Sequence, residues 1–104
     1  MAFNGDEAEQ ISLETAAVWT ENYREENPDQ TKAHYFGKNI IQDIFAQTGC
    51  VGIRIYYALD EKGQKQLIIT GVNASENDMY NGILAERSFP CPTYCDHNSS
   101  PLNG

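Results

Sequence analysis

"CVGIRIYYALDEKGQKQLIITGVN", residues 50–73, decides the fold. Val51, Ile53, Ile55, Tyr57 and Leu59 alternate with Gly52, Arg54, Tyr56 and Ala58, and a period of two in β-branched and aromatic residues defines a strand. "DEKGQ" is a tight connection with Gly63 available for positive φ, and "KQLIITGVN" reads as the returning strand. A two-stranded hairpin is marginal in water unless a third strand or a helix lies across it. The alternation assigns Ile53 and Ile55 to the covered side. Arg54 and Tyr56 fall on the other.

The cover is expected from upstream. In "ISLETAAVWTENYREENP", residues 11–28, Ser12 is a natural N-cap and Glu14 favours the positive end of the helix dipole. Leu13, Ala16, Ala17 and Thr20 follow helical spacing, Trp19 and Tyr23 add an i, i+4 pair, and Pro28 restricts Asn27 and ends the helix. "FGKNIIQDIFAQTG", residues 36–49, repeats the pattern through Phe36, Ile40, Ile41, Ile44 and Phe45, with Gly49 placed for a left-handed turn. Downstream, Ile83, Ala85 and Phe89 alternate with Glu86 and Ser88. This predicts a third strand in preference to a short helix with Met79 and Ile83 at i, i+4.

These readings give an α+β fold of order α-α-β-β-β, with two N-terminal helices packed on one face of a small antiparallel sheet and an irregular C-terminal tail. They divide the chain into a flexible acidic N-terminus (1–10), a single domain (11–95) and a polar tail (96–104). If both ends fray, about 75–80 residues remain to bury a core, a marginal number for a domain on its own. Self-association follows as a physical expectation, with a homodimer as its simplest form.

The formal charge of the 104 residues is −8, unevenly spread. Residues 1–29 hold eight acids against Arg24 alone, which reads as a solvated face that keeps the chain apart from phosphate. Nucleic acid and anionic membrane surfaces are therefore not expected partners. No apolar run reaches the length of a membrane span, and no basic-then-apolar leader opens the chain. Three cysteines, an odd number, do not make the even framework of a small secreted scaffold, so the expectation is a reducing, cytoplasmic setting.

Two clusters carry residue types capable of chemistry. In "FPCPTYCDH", residues 89–97, Cys91 and Cys95 have the spacing of a thiolate pair on a tetrahedral metal, and His97 could add a third ligand to zinc or iron. Cys50 or His34 would have to complete the set. The plainer reading is a rigid tail, stiffened by Pro90 and Pro92, whose cysteines pack as small apolar groups. An internal disulfide is the third option, disfavoured by a reducing setting. The second cluster is "KAHYFGK" with Arg54 and Tyr56: an arginine can clamp a carboxylate, and His34 can act as acid or base. Against a pocket there, the alternation puts Arg54 on the far side of the sheet from Ile53. No phosphate loop, Gly-x-Ser-x-Gly elbow, His-Glu-x-x-His or calcium loop occurs.

The runs "HYFGKNII", "GCVGIRIYY", the "GV" closing the second strand and the terminal "CPTYC" resemble a group of short bacterial proteins, over most of residues 11–95. That likeness implies no activity. In layout, Cys50 with Cys91 and Cys95 is also similar to the A-type iron–sulfur carriers. Those proteins, however, separate the terminal pair by one residue rather than three, and Cys50 precedes its strand.

Three functions remain in order of expectation. The first is a non-catalytic association module with no cofactor. The second is a metal or thiol protein at Cys91, Cys95 and His97. The third is a small-molecule pocket around His34, Arg54 and Tyr56.

Overall fold

A computed structural model describes residues 2–103. It contains helix α1 (Leu13–Glu26), strand β1 (Ala33–Tyr35), helix α2 (Lys38–Phe45) and strands β2 (Cys50–Leu59), β3 (Lys65–Asn73), β4 (Leu84–Ala85) and β5 (Phe89–Cys91). Two helices with small antiparallel sheets make this an α+β protein. The order departs from expectation through β1 and β5, which pair antiparallel with each other, Tyr35 opposite Phe89 and Ala33 opposite Cys91. The C-terminal stretch is thus more than a tail. By its contacts the chain forms two units, Met1–Glu7 with Phe36–Ser88, and Ala8–Tyr35 with Phe89–Gly104.

The first unit is built on the hairpin. β2 and β3 pair from Gly52 opposite Val72 to Leu59 opposite Lys65, with one irregularity between Cys50 and Gly52. The Asp60 carboxylate fixes the turn: it accepts from the Lys62 and Gln64 amides, both at 2.9 Å, while Gly63 takes a φ of 78°. β4 supplies the third strand, Ile69 opposite Ala85, in a sheet of order β2-β3-β4.

Helix α2 packs on one side of this sheet, where Ile44, Ile69 and Ala85 form a buried cluster lined by Phe36, Ile40, Ile41, Cys50 and Ile83. Directly opposed residues share a face, so Ile53, Ile55, Tyr57 and Leu59 stand on the same side as Ile69 and Gly71. They are not covered to the same degree. An eight-residue helix is about 12 Å long against about 33 Å for a ten-residue strand. Ile53 is 36% exposed, Ile55 49%, Leu59 69% and Tyr57 94%. The side assigned to the core by its alternation is therefore buried at Ile69 and Gly71 of β3 and bare along most of β2.

Gln47, just past α2, fastens the helix to the approach of β4. Its amide donates to the Ile44 carbonyl at 3.0 Å, and its side-chain oxygen accepts from the Ile83 amide at 2.8 Å. Gly71 is small because it must be: a Cβ there would lie 2.9 Å from Gln47 Nε2 and 3.1 Å from Cys50 Sγ.

In the second unit α1 begins as its sequence dictates, Ser12 Oγ accepting from the Thr15 amide at 3.1 Å, and ends at Asn27 before Pro28. Its half-buried residues are Ala16, Ala17, Thr20 and Arg24, whereas Leu13 and Trp19 are exposed. Arg24 donates to the Leu102 carbonyl at 2.7 Å, and Asp96 caps the Asn98 and Ser100 amides, so part of 96–104 is tied down. His34 lies in β1 opposite Pro90.

Candidate functional site

Arg54 and Tyr56, two residues apart on β2, project on the face of the sheet opposite α2. There they meet a residue that the sequence did not single out, Asp78. Arg54 Nη1 donates to Asp78 Oδ1 at 2.6 Å, and the Tyr56 hydroxyl donates to Asp78 Oδ2 in a short hydrogen bond. The guanidinium also reaches the Glu76 carbonyl, at 3.4 Å from Nη2.

The loop after β3 makes this possible. Asn73 Oδ1 accepts from the Ser75 and Asn77 amides, the Met79 amide donates to the Gly71 carbonyl at 2.8 Å, and Asp78 bridges to Val72. "NASEND" is thus a folded turn that returns a carboxylate to the sheet. Side-chain exposure is 22% for Asp78 and 36% for Arg54.

The electrostatics follow from the contacts. The Tyr56 hydroxyl, with the Arg54 guanidinium beside it, holds the Asp78 carboxyl below its ordinary range. Donation to Asp78 in turn raises the Tyr56 phenol, and Asp78 raises Arg54. Both oxygens of Asp78 are engaged, and Arg54 is committed to Asp78 and a backbone carbonyl. This is a clamp holding a loop, with Arg54 and Tyr56 both donating to Asp78.

The remaining sequence candidates are placed as follows. His34 belongs to the second unit and Arg54 to the first; burial pushes the His34 imidazole below its ordinary value. Cys91 and Cys95 are joined in a disulfide, their Cα atoms 4.7 Å apart. A paired sulfur presents no thiolate, the form that ligates metal. His97 lies beyond the pair, near the turn capped by Asp96. Among the described residues no three His, Cys, Asp or Glu side chains gather in a way that would hold a metal. Cys50 is the free cysteine; its thiol donates to the Gly52 carbonyl at 3.2 Å and packs beside α2. The pairing is the option that the sequence reading disfavoured, and Cys91 is buried within it at 4% exposure.

Two surface features were not foreseen. Tyr35, Phe89 and Tyr94 form a chain of exposed rings, with centroids 6.2 and 4.8 Å apart, along the β1–β5 ribbon. A shallow open cleft lies by the hairpin turn, lined by Leu59, Gln66, Ile68, Glu86 and Arg87 among others. Alternation along β2 could have disclosed the bare strip at Ile53, Ile55, Tyr57 and Leu59, had the shortness of α2 been weighed against the length of the strand. Among the described residues no helix is long and apolar enough to cross a membrane. No family model, curated protein or solved structure matches this chain.

Proposed function

We propose that this protein is a non-catalytic association module that acts as a homodimer, using the bare apolar side of β2. One observation carries the reading: Ile53, Ile55, Tyr57 and Leu59 form an alternating apolar strip that α2 leaves open. Such a contiguous strip marks an interaction surface more often than scattered single residues do.

The clamp at Arg54, Tyr56 and Asp78 fits the same reading, because its polar groups are spent on fixing a loop.

Light scattering from micromolar to millimolar concentration tests the proposal. The expected result is a dimer that strengthens with added salt, because screening relieves the repulsion between two chains of charge −8. Tyr57→Lys should give a folded monomer, since that side chain is almost wholly in solvent. A native protein that scatters as a monomer throughout would remove the reading.

A further inference from the structure

The edge of the sheet specifies how the two copies would meet. We infer, on the basis of the association reading above, that β2 pairs antiparallel with β2 of a second copy across a twofold axis at Tyr56, making one six-stranded sheet.

β2 is the outer strand of the order β2-β3-β4, so one side of its backbone has no strand beside it among the described residues. Long edges in stable monomers are blunted by lysine, proline, bulges or inward charges. Residues 53–59 carry none of these. Their one charge, Arg54, is bound to Asp78, and the irregularity of β2 is confined to Cys50/Gly52. What remains is a regular run of seven residues, about 24 Å long.

The sequence of that run is complementary to itself in one register. With the axis at Tyr56, opposed residues have numbers that sum to 112. Ile53 then faces Leu59 of the second copy, Ile55 faces Tyr57, Arg54 faces Ala58, and Tyr56 faces Tyr56. All four bare apolar residues find apolar partners on one side of the sheet, and no charge faces a charge. A slip of one residue would set Ile53 against Ala58 and turn the two apolar sides to opposite faces. A sum of 110 would place Leu59 against Val51 inside the irregular segment, and a sum of 114 would place Ile53 against Glu61 in the turn.

A second copy fits this edge better than a foreign strand because each of the four residues is matched by another of the same four.

The test is NMR on the full chain, mixing isotopically labelled and unlabelled protein above the dimerisation range. Contacts between copies are expected from Ile55 to Tyr57 and from Ile53 to Leu59. Alternate amides within 53–59, those pointing away from β3, should exchange about tenfold more slowly, or slower still, than in dilute monomer. A dimer showing neither signature overturns the paired-edge arrangement while leaving self-association intact. A chain that remains monomeric at every concentration overturns both, and leaves the edge to a different partner.

Discussion

The two units of this chain solve the same problem by different means. In the unit containing the hairpin, Ile44, Ile69, Val72, Ala85 and Thr70 are buried, and a helix lies on a sheet. In the unit containing α1, β1 and β5, Cys91 is the buried residue among those described, and α1 buries none of its side chains. That second unit relies on a covalent link, capped turns and ring contacts. The difference teaches where apolar content was spent: the hairpin took most of it, and the segment with too little was closed by a cross-link, as small scaffolds commonly are.

The largest effect should come from attacking the core of the first unit. Ile44→Ala removes a fully buried side chain beneath Ile69 and Ala85 and should cost about 2–5 kcal/mol in urea unfolding. A loss below about 1 kcal/mol would mean that this cluster is not what holds α2 to the sheet.

Breaking the cross-link comes second. Cys95→Ser opens a five-residue loop, for which chain entropy assigns about 2 kcal/mol. Faster amide exchange should appear at Ala33–Tyr35 and Phe89–Cys91, with the β2–β3 ladder unchanged. Equal loosening of both units would mean that the cross-link does not serve the second unit in particular. A thiol reagent reports the redox state: labelling at no cysteine beyond Cys50 is the result expected for a paired Cys91 and Cys95.

The smallest effect is the pH response of the clamp. Because the Asp78 carboxyl is held below its ordinary value of 3.8, its contribution is complete above that value and is lost as pH falls through the lowered one. Tyr56 acts at the other end: its raised phenol contributes below the ordinary value of 10.0, and that contribution disappears as pH climbs through the raised one. Chemical shifts across 74–78 should therefore move in strong acid and strong base and stay flat between. Movement near neutrality would assign the loop to another group.

Much of the first unit was legible in the residues. β2 holds a period of two from Val51 to Leu59, β3 returns from a tight turn as a run rich in β-branched residues, and the second helix repeats every three or four, so geometry is encoded many times over. β1 and β5 were not legible, because three residues carry no period and Pro90 argues locally against a strand. Their pairing is a long-range event between 33–35 and 89–91. Asp78 was hidden for a related reason. Its role depends on how a loop returns over the sheet, and one acid among fifteen gives no sign of that. Arg54 with Tyr56 was visible as a pair on one face, whereas their carboxylate partner was not. Cysteine spacing left metal, cross-link and packing open together, since one interval suits all three.

The ribbon of β1 and β5 has one more consequence, for how the polypeptide is assembled. Tyr35 stands opposite Phe89, so the excursion 36–88 departs and returns at adjoining points. In chain order, apart from its N-terminal piece, the hairpin unit thus falls between the two halves of the other, like a parenthesis. A ribosome delivers all of 36–88 before Phe89 emerges, so the inner unit has its strands in hand while the outer one still waits for its closing half. The same nesting lets evolution lengthen or exchange the inner clause without rewriting the sentence around it.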